Sequence, residues 1–245
     1  MSHAEASAAW RVHQGVLPTR PPPTSLDGDY VLAGLLWSAA YANELNRLSA
    51  AAQPEWRLRV AVADDVPDIL AKIRGLAEFE REPEAVHVTE ATLLEDGFGS
   101  RRLFCVLLVE RASGGPPVGM AICHAAYSTW DGRVIFVEDV YVDDDCRGRG
   151  LGTLLFQAVA RACLVGGAAR MQWTALRWNT PATSLYAGPR IQAAELDEWV
   201  LFRLTREALK PAGGGAAKSS ADIERLADVG PLPLGPSRIR NTESI

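Results

Sequence analysis

Two groups of residues in this chain could do chemistry. Glu138 and Asp139 are adjacent carboxylates in VIFVEDVYV, the otherwise apolar run 134–142. A charge among valine, isoleucine and phenylalanine is costly to bury without a use for it. One use is to attract an ammonium group and drain its proton. The second group is Arg147-Gly148-Arg149-Gly150-Leu151-Gly152, which follows that run and opens LGTLLFQAVARACLVG, 151–166. Glycines let a backbone approach a ligand closely. A helix N-terminus offers unpaired N–H groups and positive dipole to an anion, and Arg147 and Arg149 add charge. The combination predicts a diphosphate cradle. It is not G-x-G-x-x-G, because Thr153 stands at the third glycine, and no Gly-Lys-Ser/Thr triplet occurs. The pattern is R-x-x-G-x-G, through Arg147, Gly150 and Gly152.

The elements that must position these groups can be read from periodicity. The run 134–142 reads as a central strand, whose alternation puts Glu138 and Asp139 on opposite faces. Strands are also expected at 57–62, 103–110, 118–127, 170–177 and 199–205, the last closing the sheet. Helices are expected from Asp64 or Asp65, as cap, to about Glu82, then at 89–98, 151–166 and 181–187. Gly114-Gly115-Pro116-Pro117 punctuates a hairpin loop. This order predicts an α/β fold, a central mixed sheet with helices on both faces. Residues 1–56 read as an N-terminal extension, disordered through 29, with a helix at 30–52. Residues 57–210 form the domain. Residues 211–245 read as a flexible tail with one helical turn near 223–227.

Composition narrows the class. The chain has 245 residues, 48% hydrophobic and 22% charged, with net charge −5 and pI near 5.5. That argues against nucleic acid as a general partner and suits a cationic substrate. Cys105, Cys123, Cys146 and Cys163 form no C-x-x-C pair, so neither zinc nor a disulfide framework is expected. They read as reduced thiols of a cytoplasmic protein, with Cys146 facing solvent in its loop. The apolar run 30–42 is too short to span a membrane. The first 29 residues hold few acids and several Arg, Ser and Pro, which leaves organelle targeting open.

The hexapeptide resembles the acetyl-CoA loop of the Gcn5-related N-acetyltransferase superfamily. Four further segments resemble its spermidine/spermine acetyltransferase family, in order and spacing: LAEFERE (76–82), LLEDGFG (93–99), YSTWDGR with VEDVYV (127–142), and WNTPATSLY (178–186). The resemblance covers about 57–210. Ser128, where the polyamine branch usually has an acid, brings it closer to the thialysine N-epsilon-acetyltransferase branch.

The resemblance implies a mixed, mostly antiparallel acetyltransferase sheet and a homodimer. It implies acetyl transfer from acetyl-CoA to a small cationic amine, a thialysine-like amino acid or a diamine, by direct attack in a ternary complex. Glu138 would take the ammonium proton and Tyr186 would protonate the departing thiolate. Backbone from Val140 through Tyr141 to Val142, the loop 147–153 including Leu151 and Thr153, and Asn179 would hold acetyl-CoA. Phe79, Glu80, Trp130, Glu138 and Asp139 would line the amine site, while His87 and His124 read as structural. No metal is implied. One departure is Gly188-Pro189-Arg190, where the family runs to Gly-Ala; proline ends the helix there and is expected to shift Tyr186. Two other readings stand beside this one, a protein lysine or N-terminal acetyltransferase and a catalytically weak acyl-CoA-binding module.

Overall fold

A computed structural model of the chain describes residues 41, 43, 46, 47, 53–100, 102–205 and 208–209. Five strands form one sheet in sequential order: β1 (Trp56–Val60), β2 (Cys105–Arg111), β3 (Gly119–Ser128), β4 (Gly132–Val142) and β5 (Arg170–Gln172). The first three pairings are antiparallel and β4–β5 is parallel. The α-helices delimited within the described residues are α1 (Val66–Phe79), α2 (Glu90–Phe98), α3 (Leu151–Gly166) and α4 (Thr180–Ala187).

Period-two alternation builds two cores on one sheet. Leu107, Val109, Ala121, Cys123, Ile135 and Val137 face Leu151, Leu155, Val159 and Ala162 of α3. Val106, Leu108, Met120 and Ile122 face Val66, Ile69 and Leu70 of α1 and Leu93 of α2. Helices therefore cover both faces, as the sequence predicts. Each fully buried leucine or isoleucine contributes about 1.5–3 kcal/mol.

Local chemistry sets the helix ends. Thr89 caps α2, its hydroxyl accepting from Thr92 N at 3.2 Å. Asp65 precedes α1 but does not cap it. Its carboxylate is taken by Val62 N at 2.8 Å and by both terminal nitrogens of Arg59, at 2.6 and 2.7 Å. α1 stops at Phe79, short of Glu82, because Arg81 takes φ 65°.

Three other expectations are corrected. β5 is only three residues long, because Trp173 leaves the ladder to pack on Phe156 and Tyr186. The run 199–205 joins no ladder. Trp199, Val200, Leu201 and Phe202 are exposed, and β5 offers too short an edge to recruit them. Cys146 is fully buried in the α3-side core rather than solvent-facing. Of the expected helix 30–52, residues Tyr41, Asn43, Asn46 and Arg47 are helical. The rest of it, up to 52, lies outside the described residues, as do 1–29 and 211–245. Among the described residues no helix is long and apolar enough to cross a membrane.

Candidate active site

A one-residue irregularity in β4 organises the site. Asp139 pairs with Ile122, but Val137 pairs with Cys123, so Glu138 is an extra, bulged residue. The bulge resets the alternation. Ile135 and Val137 face α3, whereas Asp139 and Tyr141 lie opposite Ile122 and Met120 on the α1 side. Glu138 reaches the same side, where its carboxylate stands 3.5 Å from His124 Nε2. His124 in turn stacks on Phe136 at 5.1 Å. The two acids thus share a face, contrary to simple alternation.

Their environments differ. The Glu138 side chain is 58% exposed. Burial pushes Asp139 up to about 6, with the charges of Glu138 and Glu80 adding to the effect. Burial also raises Glu80, at the end of α1. Asp139 and Glu80 therefore belong to one acidic cluster with Glu138.

The outer edge of β4 carries backbone groups that take no part in the β3 ladder. Asp143 N donates to Val118 O at 2.9 Å, while Val142 lies opposite Gly119. That pattern makes Gly119–Val142 a pair without mutual hydrogen bonds, so Val142 turns its N–H and C=O away from β3. Val140, two residues back, does the same. β5 covers β4 only from Val134 to Phe136, so both positions lie outside its ladder. The loop then folds back on this edge, with Arg147 Nε donating to Val142 O at 2.9 Å.

In the loop, Gly148 and Gly150 take φ of 75° and 82°, where a side chain would be strained. Gly150 is the N-cap of α3 and offers no side chain to its first-turn N–H groups. Leu151 and Thr153 are buried, so they can present only backbone to a ligand. Arg147 lies over Phe79 at 5.3 Å and Tyr141 at 5.6 Å, and pairs with Asp144 at 2.7 Å. Arg149 donates to Asp145 O at 3.5 Å.

Aromatic contacts connect the distant segments. Phe79 meets Trp178 at 5.6 Å, and Gly75 admits the Tyr141 phenol, which lies 2.7 Å from where a Cβ would sit. Tyr186 packs against Phe156 at 4.9 Å and Trp173 at 5.3 Å, and burial raises its phenol. α4 ends at Ala187 with Gly188 as its C-cap, just before Pro189, and the chain returns so that Ala193 N donates to Tyr186 O at 2.8 Å. Asn179 caps α4 through its side-chain oxygen, which accepts from Ala182 N at 3.3 Å. Trp130 is not drawn into this group. It sits at the exposed β3–β4 turn, 6.5 Å from Trp199, roughly 20 Å of strand from Glu138.

One neighbour of the site escaped the sequence reading and another was read as structural. Trp178 lies inside WNTPATSLY and could have been singled out there. His124, read from the sequence as structural, pairs with Phe136, two residues before Glu138, and so lies diagonal to Glu138 on the same face.

A family model described as Acetyltransferase (GNAT) family matches residues 69–188, from α1 to just past α4. The thialysine N-epsilon-acetyltransferase of Mus musculus is 36% identical over 165 residues, covering 64% of this chain and 97% of that protein. The chain belongs to the GNAT acetyltransferase family. A second member, the spermidine/spermine N(1)-acetyltransferase-like protein 1 of Homo sapiens, is 32% identical over 160 residues, 63% of this chain and 23% of that protein. An integron cassette protein from the mobile metagenome of V. cholerae shares the fold, with a TM-score of 0.54 at 17% identity over 66% of this chain and 99% of its own. This GNAT chain is an N-acetyltransferase, and the family uses acetyl-CoA as co-substrate.

Proposed function

We propose that this GNAT enzyme acetylates the primary amine of a small molecule, a thialysine-like amino acid first and a diamine or polyamine second. The acceptor class rests on the acidic cluster of Glu138, Asp139 and Glu80, together with the activities for which the Mus musculus and Homo sapiens relatives are named. The catalytic domain in this reading is 57–210.

Acetyl-CoA supplies the activated acetyl group. The loop suits its diphosphate, because Gly148 and Gly150 hold backbone conformations that leave N–H groups open at the start of α3. Backbone of Val140–Tyr141–Val142 and the carboxamide of Asn179 would hold the pantetheine arm. N–H groups on the uncovered β4 edge can also stabilise charge on the thioester oxygen. Glu138 attracts the ammonium and accepts its proton, with His124 placed to receive that proton next. An alkyl ammonium holds its proton to about pH 10.4, so attack near neutrality needs this drain. Tyr186, kept protonated by burial, donates to the leaving thiolate. Phe79 and Glu80 flank the amine site with Asp139.

We assign a homodimer, supported by the exposed apolar residues Trp199–Phe202, and the cytoplasm, supported by four free, buried cysteines. The reading is tested by CoA release from acetyl-CoA with thialysine, lysine, ornithine, putrescine and spermidine offered separately. Turnover with one amine names the substrate. Silence with all five, in a protein that binds acetyl-CoA, overturns the small-amine reading.

A further inference from the structure

Among the described residues of the N-terminal extension, Tyr41, Asn46 and Gln53 reach the catalytic domain, all upstream of the family match that begins at residue 69. Tyr41 is buried in the α3-side core, and its hydroxyl donates to Ala158 O at 2.5 Å. Asn46 binds both backbone groups of Leu58. Its Nδ2 donates to Leu58 O at 2.6 Å and its Oδ1 accepts from Leu58 N at 2.7 Å. β1 is an edge strand of the described sheet, so this carboxamide bonds the backbone groups that a further strand would otherwise pair with. Gln53 then meets the diphosphate loop. Its Nε2 donates to Arg149 O at 3.4 Å and lies 2.9 Å from where a Cβ on Gly150 would sit. Its Oε1 is buried without a hydrogen-bond partner. Trp56 N, bonded to Gln53 O at 3.2 Å, ties this turn to the start of β1. A second strut runs from the same corner. Arg111 stacks over Trp56 at 5.2 Å and reaches Cys146 Sγ at 3.5 Å and Asp145 at 3.8 Å.

We propose that the extension braces the acetyl-CoA loop, and that Gln53 is a positioning residue for the co-substrate. The inference rests on the GNAT reading of the site. A peptide bond is planar and trans, so its C=O and the following N–H point in opposite directions. Holding Arg149 O toward Gln53 therefore turns Gly150 N–H away from Gln53. A loop with two glycines at positive φ has other conformations within reach. Its apparent affinity falls with the fraction of time spent outside the competent one. Gln53 suppresses those alternatives without touching the amine site.

The test measures acetyl-CoA affinity by calorimetry on the full chain, for wild type, Gln53→Ala and Gln53→Glu, with thermal melts alongside. One neutral hydrogen bond corresponds to a loss of about 3- to 10-fold for Gln53→Ala. Gln53→Glu should lose more, because it sets a carboxylate against a carbonyl and beside a diphosphate. The amine KM and kcat at saturating acetyl-CoA should stay as in wild type for both. Wild-type affinity in Gln53→Ala overturns the brace and leaves the GNAT reading intact. A lowered Tm with unchanged affinity assigns Gln53 to folding only and also overturns it. Absence of acetyl-CoA binding by the wild type overturns both.

Discussion

The imidazole of His124 lies 3.5 Å from the carboxylate of Glu138, although the two residues are not opposite one another in the β3–β4 register. They meet diagonally on one face of the sheet, because His124 pairs with Phe136, two residues before Glu138. Glu138→Gln should lower kcat about 10²- to 10⁴-fold, the usual worth of a positioned base, with acetyl-CoA affinity unchanged. His124→Gln should lower kcat less, about 10-fold, and should add nothing in the Glu138→Gln background. Steady-state kinetics of the two single variants and the double variant check this. Additive losses would mean that His124 does not act through Glu138.

Asp139 gives a pH signature. Its pKa is raised from 3.8 to about 6, by burial first and by Glu138 and Glu80 next. Above pH 6 it is charged and helps hold an ammonium; below, it is neutral. Amine KM should rise as pH falls through about 6, and Asp139→Asn should remove that dependence. The stability sign is opposite. The raised folded pKa means that ionisation opposes folding; the cost is absent below 3.8, grows toward 6 and is complete above. Asp139→Asn should therefore raise Tm by several degrees at pH 8 and change it little at pH 4.

Much of this architecture was legible because period-two and helical patterns are written in side-chain types. The two-sided burial of β2, the extent of α3 and the Thr89 cap all follow from local residues. What failed depended on partners. Residues 199–205 carry a strand's apolar content, yet a strand needs an edge to pair with. Asp65 looked like a cap, but Arg59 from β1 claims its carboxylate. Of the site, the glycine loop was legible as local backbone chemistry. The shared face of Glu138 and Asp139 was not, because one extra residue in β4 inverts every alternation after it.

Gly150 should be intolerant of substitution for two separable reasons. At φ 82° any side chain is strained, and a Cβ would meet Gln53 Nε2 at 2.9 Å. Gly150→Ala should weaken acetyl-CoA binding about 10-fold, the scale set by a strain of about 1–2 kcal/mol. Gly150→Asp adds a negative charge beside the diphosphate and should abolish binding. Titration calorimetry separates the two, and equal affinities would show that charge at this position is irrelevant.

The Tyr186 phenol sits among Phe156 and Trp173, where burial raises its pKa. Tyr186→Phe keeps the ring contacts and removes only the proton. It should lower kcat at least about 10-fold while leaving Tm and acetyl-CoA affinity near wild type. A fall in Tm matching the loss of rate would assign Tyr186 to packing instead.

Lys72 and Asp143 connect α1 to the start of the diphosphate loop. The ammonium lies 2.9 and 3.1 Å from the two carboxylate oxygens, and Lys72 is only 7% exposed. Removing one partner strands the other. The half-exposed Asp143 can recover water, but the buried Lys72 cannot, so the two single variants should differ. Asp143→Asn should cost about 2–3 kcal/mol, and Lys72→Met, which keeps volume and removes the charge, about 1 kcal/mol. Denaturant melts at pH 7 check the order. If Lys72→Met proves the more damaging, the pair contributes through its attraction rather than through the cost of an abandoned buried charge.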